Sequence, residues 1–176
     1  MKQLIQTFIS LLAFTNLGTF AAEAEGTDTI VLTGATHVAA GDDHTVLLDE
    51  RGQVYTFGKG NFGRLGHGDT EDKLVPTMVE SLEDTKIVQV AEGAFHTVLL
   101  DQDGQVYTFG DGLLGHGRTE NKLVPTMIES LKGTKIVQVA GGDAHTVLLD
   151  QNGRVYTFGV GQYGFGVGEY CRLGHG

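Results

Sequence analysis

The sequence predicts an all-β fold, a partial propeller of about three four-stranded blades. Glycine supplies 27 of the 176 residues and only 19 % of residues are charged, which argues against long helices. Short β-branched segments recur in the same order, with His44, His96 and His145 separated by 52 and 49 residues. Because 40 % of the residues are hydrophobic, the chain can build a packed core, which argues against a disordered low-complexity chain.

The amino terminus has the features of a secretory signal peptide. Lys2 precedes an apolar stretch at 4–14, and the small residues Ala22 and Ala24 offer two cleavage positions. We therefore predict a leader at residues 1–24 and a secreted or periplasmic protein with no membrane contact after leader removal. The alternative is an uncleaved, buried segment.

The remainder of the chain is an array of repeats. Residues 86–109 recur at 135–158 with 19 of 24 positions identical, and an earlier copy occupies 38–57. A second block begins at Asp69 and again at Arg118, with 17 of 22 positions identical. The array spans 30–176 and divides into units near 38–90, 90–139 and 139–176.

Each unit contains predicted strands in a fixed order. The segments VQVA, HTVLLD, QVYTFG and LVPTM are short and rich in β-branched or aromatic residues. Asp101 and Gly104 frame a turn between the second and third strands, in which the carboxylate caps amides and the glycine takes a positive φ. Pro76 and Pro125 restrict the fourth strand to a sheet edge or to its first residues. Four short strands in about 50 residues are typical of a propeller blade.

These motifs resemble the repeat of the regulator of chromosome condensation family. The elements GxxHT, DGxVYTFG, GxLGHG and VQVAxG recur in order across residues 30–176. The resemblance implies a seven-bladed β-propeller of four-stranded antiparallel blades whose faces bind other proteins. Seven blades would need roughly 350 residues, and the third copy stops at Gly176, before its LVPTM strand. We therefore expect either a homo-oligomer or a part of a longer propeller.

Composition and motifs exclude several function classes. Acidic residues outnumber basic ones 22 to 12 and no basic patch is visible, so we predict no nucleic-acid partner. The single cysteine, Cys171, excludes an intramolecular disulfide and a thiolate cluster. No serine lies in a GxSxG elbow, and the three GxGxxG strings have no helix after them, which favours repeat loops over a dinucleotide site. We predict no catalytic residue, no cofactor and no metal.

Six of the seven histidines occupy repeated positions. We interpret them as structural residues whose imidazoles form hydrogen bonds that each fix a loop in their own blade. Metal binding is the weaker alternative, because no HExxH-like set of ligands accompanies them. Three lie in GxxHT and three in LGHG: His44, His96, His145, His67, His116 and His175.

The loop that contains the third GxGxxG string carries a tandem duplication. FGVGQYG at 158–164 is followed at once by FGVGEYC at 165–171. Exposed loops tolerate length changes and often carry function, and aromatic side chains are enriched in binding hot spots. This loop is therefore a candidate partner-binding site, and a slippage accident in a solvent loop is the alternative. The candidate residues are Gln162, Tyr163, Phe165, Glu169 and Tyr170.

Together these patterns predict a non-enzymatic, exported repeat scaffold that binds a protein partner. The resemblance implies two alternatives, a guanine-nucleotide exchange factor or regulator of a small GTPase, and a secreted propeller that inhibits an enzyme. The predicted leader argues against the exchange factor, which would act in the cytosol or nucleus.

Overall fold

The chain folds into sheets of short antiparallel strands. The computed structural model describes residues 21–24, 30–112 and 114–159. Its strands are β1 Ala21–Ala24, β2 Ile30–Thr33, β3 Ala35–Ala40, β4 His44–Asp49, β5 Val54–Gly58, β6 Lys73–Met78, β7 Ile87–Glu92, β8 His96–Asp101, β9 Val106–Gly110, β10 Lys122–Met127, β11 Ile136–Gly141, β12 His145–Asp150 and β13 Val155–Gly159. Short 3-10 turns occupy Asn61–Gly63, Glu80–Leu82 and Glu129–Leu131. The predicted all-β architecture of propeller blades is confirmed.

Three sheets follow one another as blades. Blade 1 has the order β3-β4-β5-β6, blade 2 the order β7-β8-β9-β10, and blade 3 the order β11-β12-β13 in the described part of the chain. Every neighbouring pair is antiparallel. The predicted strand order within a repeat is therefore the observed one.

A carboxylate closes the turn between the second and third strands of each blade. Asp101 Oδ1 accepts hydrogen bonds from the backbone N–H groups of Asp103 at 2.9 Å and Gln105 at 2.8 Å. The Gly104 N–H reaches the Asp101 carbonyl at 3.1 Å, and Gly104 has a φ of 84°. This left-handed conformation favours glycine, as the sequence pattern predicts.

The fourth strands lie at the outer edges of their sheets, where the two prolines belong. β6 contains Pro76 and β10 contains Pro125, and each pairs with only one other strand of its sheet. Leu74 on β6 is 92 % exposed. An edge position tolerates a residue without an N–H donor, which explains the proline.

Adjacent blades bury their apolar faces against each other. Val46 and Leu48 of β4 belong to the same buried cluster as Leu99 and Phe109 of blade 2. A second cluster joins the corresponding residues of blade 2 to Leu148 of blade 3. Burial of each such side chain stabilises the fold by about 1.5–3 kcal/mol. The core of this array therefore lies between the blades, and each blade depends on its neighbour.

A separate two-stranded sheet precedes blade 1. β1 pairs with β2 in antiparallel register, with Ala22 opposite Leu32. β1 contains the two predicted cleavage positions, whereas residues 1–20 of the predicted leader lie outside the described residues. In the described part of the chain, no helix is long and apolar enough to cross a membrane.

Candidate functional site

Two of the three GxxHT histidines, His44 and His96, link neighbouring blades. His44 Nε2 lies 3.1 Å from Thr97 Oγ1 of blade 2, and His96 Nε2 lies 3.0 Å from Thr146 Oγ1 of blade 3. Thr97 Oγ1 donates to the carbonyl of Arg64 at 3.0 Å, so it accepts the proton of His44 Nε2. The bond of each histidine crosses to the next blade, whereas the sequence predicted a bond within its own blade.

Burial keeps these histidines neutral. The pKa of His44 is lowered to about 4, first by burial and then by the positive charge of Arg64 and by His96. Burial lowers the pKa of His96 to about 4 as well. Gly41 and Gly93 make room for the two rings, because a Cβ at either position would overlap the following imidazole. The repeated glycine and histidine therefore form one packing unit.

Two of the LGHG histidines, His67 and His116, form hydrogen bonds within their own blade. Thr56 Oγ1 donates its proton to the Leu65 carbonyl at 2.7 Å, so it accepts a hydrogen bond from His67 Nε2 at 2.9 Å. His116 Nε2 and Thr108 Oγ1 repeat this arrangement at 3.0 Å. Burial lowers the pKa of both histidines. These two histidines tie the glycine loop to the third strand of the same blade.

Thr97→Val should destabilise the protein by about 1–3 kcal/mol, because it removes the partner of the buried His44 Nε2–H and of the Arg64 carbonyl. Thr45→Val is the matched control, since Thr45 is the equivalent residue of blade 1 and no described blade precedes it. Urea unfolding of both variants in dilute solution measures the difference. Equal losses in the two variants would contradict the bridging role of Thr97.

An arginine is buried in the glycine loop of blade 1. Arg64 is 1 % exposed. Its Nη1 donates to the Ala94 carbonyl of blade 2 at 3.1 Å, and its Nε donates to the Asn61 carbonyl at 3.1 Å. The guanidinium lies 4.8 Å from the ring centre of Phe95, which accounts for a cation–π contact. Arg64 therefore anchors the loop of one blade on the next.

The same loop presents an aromatic side chain at its surface. Phe62 has a φ of 64° and is 39 % exposed. Its ring meets Phe95 edge to face at 5.9 Å and lies 5.7 Å from the Arg64 guanidinium. Non-glycine residues in the left-handed region are uncommon and cluster at functional loops. Phe62 is thus held in an exposed position by the buried Arg64.

Charged and polar groups surround Phe62 in an open depression. Asp43, Lys59, Asn61, Thr70 and Asp72 line it together with Phe62. Lys59 Nζ and Asp72 Oδ2 form an exposed ion pair at 2.8 Å. The hydrogen bond from Lys59, and then the one from the Gly60 N–H, lower the pKa of Asp72. We call the residues that line this depression the loop-end site.

Glu92, at the variable position of the VQVAxG element, has a buried carboxyl that the sequence motifs do not indicate as a site. Its side chain is 1 % exposed, neither carboxyl oxygen has a hydrogen-bond partner, and Oε2 lies 3.8 Å from His44 Nε2. Burial raises its pKa to about 8, although the nearby N–H groups of Gly41 and Val46 act in the opposite direction. At pH 7 both Glu92 and His44 are therefore mainly neutral. The sequence does contain one indication that this residue is unusual, because the equivalent positions of the other two repeats hold the small residues Ala40 and Gly141.

The remaining predicted site residues have varied positions. His145 lies at the start of β12, and its Nδ1 is buried without a partner. His175 and the duplicated loop, with Gln162, Tyr163, Phe165, Glu169 and Tyr170, lie outside the described residues. Among the residues that the structure describes, no group of three or more His, Cys, Asp or Glu side chains could hold a metal ion.

Two models of one protein family match the repeats. The first, described as "Regulator of chromosome condensation (RCC1) repeat", matches residues 51–100 and 103–149. A second pattern of the same description matches 35–64, 87–116 and 136–164. Together these ranges include the blades and the loop-end site.

Individual relatives share this region. The chain is 55 % identical over 67 residues to the inhibitor of Bruton tyrosine kinase of Mus musculus, and 42 % identical over 78 residues to the E3 ubiquitin-protein ligase HERC2 of Homo sapiens. These matches cover 38 % and 43 % of this chain but only 5 % and 2 % of the relatives.

Two solved structures have the same fold. The structure of human WBSCR16 superposes with a TM-score of 0.69 and 26 % identity over 85 % of this chain and 41 % of that protein. Prp20p of Saccharomyces cerevisiae, described with binding properties to Gsp1p and histones, superposes with a TM-score of 0.63 and 29 % identity. That match covers 71 % of this chain and 32 % of Prp20p.

Proposed function

Because the chain belongs to the regulator of chromosome condensation (RCC1) repeat family, we propose that it is a non-catalytic scaffold that binds a protein partner at the loop-end site. Repeats of this family typically mediate protein interactions and regulate small GTPases. The observation that carries the proposal is Phe62, an exposed aromatic ring in a left-handed conformation, fixed by a buried arginine. A rigid aromatic side chain loses little entropy on binding and is typical of a hot spot.

Charged side chains at the loop-end site form a polar rim around the Phe62 ring. Asp43 and Asp72 are exposed beside Phe62, and Lys59 is paired with Asp72. An apolar centre with a polar rim is the usual anatomy of a protein interface. A partner with an apolar pocket flanked by basic side chains would complement this surface.

We also propose that the protein is exported from the cell interior. The features of residues 1–24 support it, and sequencing of the amino terminus of protein recovered from the medium or periplasm tests it. A mature chain that begins at Glu23 or Glu25 is the expected result, and an intact Met1 in exported protein would contradict it.

Phe62→Ala should weaken partner binding by about tenfold or more, because it removes the centre of the site. The partner is first captured on the immobilised full chain and then purified, and its affinity for each variant is measured by calorimetry. Leu74→Ala is the matched control, because Leu74 is 92 % exposed on the outer edge of blade 1 and is not one of the residues that line the loop-end site. Equal affinity for both variants would reject this site.

Regulation of a small GTPase is the second candidate. It is supported by the superposition on Prp20p, which is described as binding Gsp1p. The test is the release of labelled GDP from a purified Ran-type GTPase in the presence of the full chain. Acceleration that Phe62→Ala abolishes would select this candidate, and no acceleration would exclude it.

A further inference from the structure

Blade 3 has an apolar face with no described blade against it. Val155 on β13 is 62 % exposed, whereas its equivalents Val54 and Val106 are each 1 % exposed because the next blade covers them. His145, which repeats the two bridging histidines, lies on the same side of the sheet. We call this side of blade 3 the open face.

Blade 1 has the same residues that blade 2 uses to pack against the preceding blade. At the junction of blades 1 and 2, Leu99 and Phe109 pack against blade 1, and Thr97 accepts from His44. The equivalent residues of blade 1 are Leu47, Phe57 and Thr45, joined by Val38 and Tyr55. Val38 is 69 % exposed, whereas its equivalent in blade 3, Val139, is 8 % exposed. We call this side of blade 1 the receiving face.

We propose that the open face of blade 3 binds the receiving face of a second copy of this chain, head to tail. The contact continues an interface that the chain already builds twice, between blades 1 and 2 and between blades 2 and 3. In it, Val155 is buried as Val54 is, and His145 Nε2 donates to Thr45 Oγ1 of the second copy. Such a contact joins two different surfaces, so association can continue from copy to copy.

The sheet of β1 and β2 restrains this association. Leu32 of β2 packs on the cluster of Leu47 and Tyr55, which are 4 % and 5 % exposed. Leu32 therefore covers part of the receiving face and must move aside before a second copy binds. Removal of β1 by cleavage after Ala24 would leave β2 without the strand that pairs with it in the described part of the chain.

The first test compares full-length chains by light scattering after size exclusion, at concentrations up to about 100 µM. Leu32→Ala should associate at least about tenfold more tightly than the unmodified chain, because it uncovers the receiving face. Val155→Asp in the Leu32→Ala background should remain monomeric, and Leu74→Asp in the same background should associate unchanged. A monomeric Leu32→Ala chain, or association that Val155→Asp leaves intact, would overturn the proposal.

A mixing experiment tests the head-to-tail geometry. In the Leu32→Ala background, Val38→Asp damages only the receiving face and Val155→Asp only the open face; both residues are exposed, so the variants should fold, as circular dichroism will check. Each variant alone should be monomeric, and an equimolar mixture should form a dimer with one copy of each. Association of Val38→Asp alone, or no dimer in the mixture, would contradict this geometry.

Discussion

Replacement of Glu92 by alanine is expected to stabilise the protein by about 3 kcal/mol at pH 9 and to have little effect near pH 5. The native carboxyl is buried without a hydrogen-bond partner, and burial raises its pKa to about 8 from an ordinary value of 4.5. The contribution of Glu92 to stability is therefore complete below pH 4.5 and is lost as the pH rises towards 8. The equivalent positions of blades 1 and 3 hold the small residues Ala40 and Gly141, so a blade forms without a long side chain at this position.

The two histidines that bridge the blades, His44 and His96, make the stability of the protein depend on pH in the opposite direction, at acid pH. Burial lowers the pKa of His44 and His96 to about 4 from 6.5. Their contribution is complete above pH 6.5 and is lost as the pH falls through 4. The Glu92→Ala variant should thus gain stability from pH 4 to 6.5 and then remain level, whereas the unmodified protein should lose stability on the alkaline side.

Urea unfolding between pH 4 and 9 measures both curves. Glu92→Gln is the matched control, because the amide has a similar size and does not ionise. Glu92→Gln should give most of the gain in stability that Glu92→Ala gives at pH 9, and it should lose fewer packing contacts than the alanine variant. If the unmodified protein and Glu92→Gln have parallel curves from pH 5 to 9, the carboxyl does not titrate between the blades and the prediction is wrong.

The strands and turns were predictable because their causes are local. Alternating β-branched residues specify HTVLLD and VYTFG, and an aspartate followed three residues later by glycine specifies the turn at Asp101. The prolines place the fourth strand at an edge without reference to any other blade. These features need only a few neighbouring residues, so a single repeat carries them.

The contacts between blades could not be predicted in the same way. His44 and Thr97 are 53 residues apart, and their hydrogen bond depends on how two blades pack. Arg64 stands in a glycine-rich loop, where an exposed charge is expected, yet it is buried by Phe95 of the following blade. Glu92 differs from small residues in the other repeats, and that difference was the available signal. Comparison of the repeats position by position would have identified Glu92 but not its neighbours.

Arg64→Ala is expected to destabilise the protein by about 3 kcal/mol, and to loosen the loop that presents Phe62. The variant removes two hydrogen bonds to backbone carbonyls, of which the Ala94 bond is buried, and leaves a void beside Phe95. Arg64→Lys should recover little of this, because a single ammonium cannot bond both carbonyls and stack on the ring.

Arg154→Ala is the matched arginine control for this loss. Arg154 also contacts a carboxylate and an aromatic ring, Asp150 and Tyr156, but its side chain is 63 % exposed, whereas that of Asp150 is buried. The equivalent buried carboxylate of blade 2, Asp101, has Gln105 in place of this arginine, so removal of Arg154 should change stability less than removal of Arg64. Thermal unfolding measures stability, and hydrogen exchange at Phe62 measures the loop. Because Phe62 depends on Arg64 for its position, Arg64→Ala should also weaken partner binding below the melting transition. Unchanged stability together with unchanged exchange at Phe62 would show that the buried arginine does not hold the loop-end site.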